Sequence, residues 1–217
     1  MDIFEKIQTS LIESDEVTFM ARIESALERG FEPLEVLNKG LIVGMTKVSK
    51  ICEKKMIFIP EMLKISEIFT KGYNRLLTLI KTNEDLAVGK VVVACNKDDL
   101  HDFGKNIFIL ALKLKGFHVI DLGIDTDEQD VIDTCIREDA DFICLSMTLP
   151  WKRKGIFGRM SKIQASGLCE RLVVGGAGVD EDFEKQFHIL LFENNPYIAA
   201  DKMYNILIES KGNKTNG

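Results

Sequence analysis

The sequence predicts an α/β protein: an N-terminal four-helix bundle followed by a flavodoxin-like (Rossmann-like) doubly wound parallel sheet. Two changes in pattern carry that prediction. Up to about residue 82, apolar side chains recur at three- and four-residue spacing, the period of an amphipathic helix. From Lys90 onward, short β-branched runs alternate with helical segments, the rhythm of a parallel sheet covered on both faces. With 217 residues, 46% of them hydrophobic, the chain can bury a core in each half.

The helical stripes read in order as Phe19, Ile23 and Leu27; then Leu34, Leu37, Leu41, Met45 and Val48; then Met62, Ile65, Ile68 and Phe69. Gly30 and Pro33 separate the second helix from the third. Pro60 suits the first turn of the fourth, where its missing N–H costs nothing. Short connections between four helices predict an antiparallel bundle over residues 1–84. The polar stretch Lys81–Asp85 reads as a linker into an α/β domain over 88–212. Its expected strands are 90–95, 118–122, 141–146 and 171–175, with one more possible near Tyr197. The expected helices are 104–116, 127–138, 152–165, 181–190 and a last one from Ala199 to Ser210. The polar C-terminus, 213–217 at its core, reads as a flexible tail.

Composition excludes several classes. A net charge of −6 argues against a nucleic-acid surface. No apolar run approaches a membrane span, and the acidic start Met1-Asp2-Ile3-Phe4-Glu5 lacks the basic-then-apolar order of a signal peptide. The five cysteines are scattered without a Cys-x-x-Cys pair, which disfavours zinc and fits a reducing, cytoplasmic setting.

The chemistry concentrates in Asp99-Leu100-His101-Asp102-Phe103-Gly104, on the loop that leaves the apolar run Val91–Cys95. Ligands of open α/β sheets sit at the carboxyl ends of strands, and an imidazole with a carboxylate two residues away is a metal-ligand arrangement. Taken alone, the hexapeptide is equally well read as a helix-capping turn with a solvated histidine. His118, at a strand start, and His188, in a helical segment, read as structural residues. Ser146 ends a buried strand; by itself its hydroxyl is best read as bonded to nearby backbone. Gly175-Gly176 alone reads as a strand-to-loop turn.

Together, Asp-x-His-x-x-Gly at 99–104, Ser146-Met147-Thr148 and Gly175-Gly176-Ala177 form an ordered set at characteristic gaps. This set resembles the cobalamin-binding module of corrinoid proteins, with the helical cap found in methyltransferase systems and in methionine synthase. The string His101–Asn106 is similar to that family's loop, and Gly44–Val48 with Phe58–Met62 resembles helices of its cap. The resemblance implies cobalamin bound base-off/His-on, with His101 as the lower axial cobalt ligand and Asp99 holding its other ring nitrogen. It implies that Gly104 lets the nucleotide tail approach, that Ser146 bonds the tail base, and that Gly175-Gly176 opens the slot wall. Leu100, Asp102, Phe103, Met147, Thr148 and Ala177 complete the implied cofactor-binding set.

The implied function is a methyl carrier, with methylcobalamin in turnover. Such a subunit is not catalytically complete alone. Its implied partners are a substrate-specific methyltransferase, a methyl-acceptor methyltransferase and a reductive activation protein, with neither nucleic acid nor membrane. A cobalamin-dependent sensor and a mutase small subunit are the alternatives. Residues 1–88 contain no evident helix-turn-helix beyond the bundle, and mutase subunits generally lack the cap. Three features depart from the family's pattern: Asp98 stands where glycine is usual, Thr148 replaces leucine, and Leu149–Lys154 replaces a threonine-rich run. Asp tolerates the left-handed conformation better than most residues. Ile57, Phe58, Ile59 and Met62 read either as an apolar lid or as bundle core. Trp151 reads as core, and Lys152-Arg153-Lys154 as a solvated helix start.

Overall fold

The computed structural model describes residues 1–53, 59–80, 87–150 and 155–214. The chain divides into two compact units, Met1–Lys81 and Thr82–Gly217. Several sequence expectations lie outside the described residues: the 81–85 linker, the Ile57, Phe58 and Ile59 side chains, Trp151 and Lys152–Lys154.

The first unit is helical, as the three-to-four spacing requires. Its elements are α1 (Ile3–Ile12), α2 (Glu16–Glu28), α3 (Pro33–Glu35), a π-helical stretch (Val36–Ile42), α4 (Val43–Glu53) and α5 (Ile59–Leu77). The turn α3, the π stretch and α4 make one continuous helical run, so four helical segments pack together. A capping box starts α1: the Glu5 amide donates to Asp2 (2.7 Å) and the Asp2 amide to Glu5 (2.9 Å). Ile7, Leu11, Phe19, Ile23, Leu37, Leu41, Ile65 and Ile68 form the buried centre. The periodicity does not reveal the π stretch, which is an extra residue accommodated in a helix. Gln8, nearly buried on α1, donates its side-chain amide to the Lys39 carbonyl there at 2.6 Å.

Helix α5 meets α2 at Gly72, where a Cβ would lie 2.6 Å from Phe19 Cε1 and 2.9 Å from Ile23 Cδ1. Both neighbours are fully buried and cannot yield into solvent. Gly72→Val is therefore expected to destabilise the protein by about 1–3 kcal/mol, the usual cost of overpacking. Urea unfolding followed by circular dichroism measures it; an unchanged midpoint would contradict this packing.

The second unit is a five-stranded parallel sheet of β1 (Lys90–Cys95), β2 (His118–Asp121), β3 (Phe142–Ser146), β4 (Leu172–Gly175) and β5 (Leu191–Phe192). The strand order is β2-β1-β3-β4-β5. Helices α6 (Phe103–Leu114), α7 (Glu128–Glu138), α8 (Ile156–Ala165), α9 (Glu181–Phe187) and α10 (Pro196–Lys214) connect and follow the strands. Alternate residues of each strand enter opposite cores. Val92, Ala94, Ile143 and Leu145 pack with α7, α8 and α9, while Val91, Val93, Phe142 and Cys144 pack with α6 and α10. Burial on both faces is why these strands read as continuous apolar runs rather than as alternation.

The C-terminal elements differ from expectation. The fifth strand lies at Leu191–Phe192, and Tyr197 belongs to α10. The reason is a cap: Asn195 Oδ1 accepts from the amides of Tyr197 (3.0 Å) and Ile198 (3.2 Å), and Pro196 sits in the first turn. Helix α9 ends at Phe187, closed by His188 in the left-handed region at φ +49°. The last helix does not stop at Ser210 but continues through Lys214. Lys211 ties it to the Val88 carbonyl at 2.6 Å. No described helix is long and apolar enough to cross a membrane.

Candidate functional site

From β1 the chain steps outward to the edge strand β2, then crosses back to β3 on the other side of β1. The carboxyl ends of β1 and β3 thus flank the topological switch point, where following segments diverge to opposite faces and leave a crevice. Cys95 pairs in register with Ser146 there, and the Asn96 amide donates to the Ser146 carbonyl at 3.1 Å. Both the 99–104 hexapeptide and Ser146-Met147-Thr148 leave the sheet at this point.

Asp99 is the centre of the arrangement and is only 1% exposed. Its Oδ1 lies 2.7 Å from His101 Nδ1 and accepts the His101 amide at 3.1 Å. Its Oδ2 accepts the amides of Thr148 at 2.5 Å and Leu149 at 3.2 Å. Burial pushes the Asp99 carboxyl up, but the Thr148 amide, the His101 ring, the His101 amide and the Leu149 amide together hold it below the ordinary 3.8. A carboxylate there keeps the imidazole proton on Nδ1 and leaves the Nε2 lone pair available to a metal. The His101 side chain is 60% exposed, so that lone pair is accessible.

The surroundings separate the remaining residues. Leu100 is exposed, as are Asp102 and Gly104, and a Cβ built on Gly104 meets nothing within 4 Å. Asp102 instead works on α6, accepting from the Asn106 side chain at 3.1 Å, and Phe103 is half-buried. Ser146 is half-buried, within hydrogen-bonding reach of the Cys95 thiol. Burial pushes that thiol up to about 11, so it does not compete as a thiolate ligand. Met147 is buried in the core shared with α7, α8 and α9, which removes its side chain from the crevice. Thr148 contributes its amide; any non-proline residue could supply that contact, so the loss of the usual leucine leaves the bond to Asp99 intact.

Gly175 and Gly176 are both closely approached by backbone from other segments. A Cβ on Gly175 would lie 2.5 Å from the Glu193 carbonyl oxygen, and one on Gly176 2.5 Å from that of Met147. The chain's own carbonyls fill the space that the missing side chains leave, so these glycines let neighbouring loops close on one another. Gly176 also has φ +116°. Gly176→Ala should cost about 2 kcal/mol or more, combining backbone strain with a steric clash. Thermal melting checks this. Gly178, which the motif reading passes over, is equally crowded by the Leu149 carbonyl, while Ala177 is exposed.

Sequence reading also missed the supports around the hexapeptide. Lys105, 3% exposed, donates to both carboxylate oxygens of Asp121 at 2.8 and 2.6 Å. Asp98 has φ +66°, so aspartate does occupy the left-handed turn. His118 is exposed on the edge strand, and His188 caps α9. Among the described residues no group of three or more His, Cys, Asp or Glu could hold a metal ion. The accessible His101 imidazole, its buried carboxylate partner and the open position at Gly104 fit a cofactor-bound metal that brings its own remaining donors.

Comparison with known proteins gives the family to which the chain is similar. Residues 89–191 match a B12 binding domain, and residues 3–77 match a second kind of B12 binding domain. The chain is 25% identical over 210 residues to dimethylamine corrinoid protein 2 of Methanosarcina acetivorans, covering 95% of this chain and 97% of that one. It is 25% identical over 185 residues to the methanol corrinoid protein of Methanosarcina barkeri, covering 83% and 70%. Its fold superposes on the Methanosarcina barkeri monomethylamine corrinoid protein with a TM-score of 0.82 at 22% identity, covering 94% and 98%.

Proposed function

We propose how this chain works from the premise that it belongs to the cobalamin-binding corrinoid proteins of methyltransferase systems, its two B12 binding domains spanning residues 3–77 and 89–191. It is a methyl carrier that binds cobalamin and acts with methyltransferases. When bound, the cofactor supplies a cobalt centre that accepts a methyl group from one partner and yields it to another.

The observation that carries the residue-level reading is the 2.7 Å contact between His101 and the buried Asp99. His101 is the candidate cobalt ligand and would offer Nε2 to the metal. Asp99 orients the ring and keeps its Nδ1 proton, which raises the basicity of the ligating nitrogen. Gly104, without a side chain at an open position, leaves room for the nucleotide tail. Ser146, at the carboxyl end of β3, is the candidate partner for the tail base. It would exchange its contact with the Cys95 thiol for that one. Leu100 and Ala177 are exposed near these groups in sequence and are assigned to the same site. The donor-specific methyltransferase, the acceptor methyltransferase and a reductive activation protein are the partners this role requires.

Reconstitution with hydroxocobalamin tests the reading. The folded protein should retain the cofactor stoichiometrically. After reduction to Co(I) it should take up a methyl group from methyl iodide with loss of iodide, and lose that group when an acceptor methyltransferase and its acceptor are added. Retention without methyl exchange would favour a sensor, and folded protein that retains no cobalamin would refute the assignment.

A further inference from the structure

The backbone just before His101 lies in an unfavourable conformation, and a residue from a helix distant in sequence contacts it. Asp98 lies at φ +66°, where a side chain is strained and glycine is at ease. Arg159 of α8 reaches this turn with both terminal nitrogens. Nη1 donates to the Lys97 carbonyl at 2.9 Å, and Nη2 donates to Asp98 Oδ2 at 2.8 Å. Asp125, on the loop after β2, accepts the Asp98 amide at 2.9 Å and lies 3.2 Å from Lys97 Nζ. The next residue along the chain is Asp99, which holds the His101 ring.

We infer that Arg159 is a positioning residue for His101: its two-point grip on Lys97 and Asp98 holds the left-handed turn that aims Asp99 and the imidazole. An isolated surface ion pair would not suffice for this, because such pairs contribute little. Arg159 differs in two respects. It is only 20% exposed, and one of its acceptors is a backbone carbonyl, so it constrains the chain rather than only a carboxylate. The inference rests on the cofactor reading above only for its consequence at cobalt; the grip on the loop concerns the protein alone.

The test compares the full chain with Arg159→Ala, Arg159→Lys and the double variant Arg159→Ala/Asp98→Gly, each first shown to be folded by circular dichroism. In cofactor-free protein, amide exchange across 97–101 should accelerate in Arg159→Ala. Loss of a partner that orients a ligand costs 10–100-fold, and Arg159 acts one step further out, so hydroxocobalamin affinity should fall about tenfold. The histidine-ligated visible spectrum should weaken in parallel. Lysine can reach one acceptor but cannot reproduce the fork, so Arg159→Lys should recover only part of the loss. Adding Asp98→Gly should restore most of the affinity and spectrum, because glycine adopts the turn unaided. Unchanged exchange and spectrum in Arg159→Ala, or no rescue by glycine, would overturn the inference. If the wild type retains no cobalamin while exchange still responds to Arg159, the cofactor reading fails and the grip on the loop stands.

Discussion

Replacing His101 with alanine is expected to lower cobalamin affinity by about 100-fold or more and to abolish the histidine-ligated spectrum. Removing only the outer partner of a metal-bound histidine typically costs 10–100-fold, so removing the ligand itself should cost at least the upper end. Among the described residues no group of three or more His, Cys, Asp or Glu could hold a metal ion in its place. The neighbouring Cys95 thiol is protonated by its burial, and its Sγ is directed to the His101 carbonyl at 3.4 Å. Fold stability should fall by only about 1–2 kcal/mol, because the His101 side chain is mostly exposed and its loss removes one bond from the buried Asp99 carboxylate. Equilibrium titration with hydroxocobalamin, alongside a thermal melt, separates the two effects. Equal affinity in the variant would remove His101 from the site.

Substitution of Asp99 should act on folding and ligation together. Asp99→Ala leaves the half-buried amides of Thr148 and Leu149 without their acceptor and releases both the ring and the amide of the exposed His101. An unsatisfied buried donor costs about 1–3 kcal/mol, so a total loss of about 3–5 kcal/mol is expected from the two amides and the charge-assisted bond to the ring. Asp99→Asn keeps the shape but not the charge, and should show the pH consequence more cleanly. Because the folded protein holds this carboxyl below 3.8, its contribution is present above that value and is lost as pH falls through the lower, folded-state value. Acid unfolding of the wild type should therefore steepen below about pH 4, and the asparagine variant should lack that component. A stability measurement by urea at pH 7 and pH 3 decides it; identical pH dependence in both proteins would contradict the assignment.

Most of the architecture was legible because burial imposes a period. Helical stripes such as Leu34, Leu37 and Leu41, and unbroken runs such as Val91–Cys95, follow directly from facing one core or two. The expected strands at 90–95, 118–122, 141–146 and 171–175 each coincide with an observed strand to within a residue. Where a short polar cluster had to be interpreted, the reading was weaker. Asn194-Asn195-Pro196 supports a strand start or a helix cap equally well from composition. Only the hydrogen bonds from Tyr197 and Ile198 to Asn195 distinguish the two. The carbonyls of Met147 and Glu193 that crowd the glycine pair come from other segments of the chain and leave no mark in the sequence around it.

By itself, the sequence determined the two-part α/β organisation, the placement of His101 at a strand's carboxyl end and the resemblance to corrinoid proteins. These depend on residue types and local spacing, which a linear sequence records directly. The tertiary structure alone decided how the site is held: amides 49 and 50 residues from Asp99 clamp its second oxygen, and Arg159 grips a turn 61 and 62 residues away. The physical reason lies in the donors and the distances. Every non-proline residue carries a backbone N–H, so no residue type marks the ones that matter. An arginine on an amphipathic helix reads as an ordinary surface charge until the sheet topology brings α8 beside the loop that leaves β1.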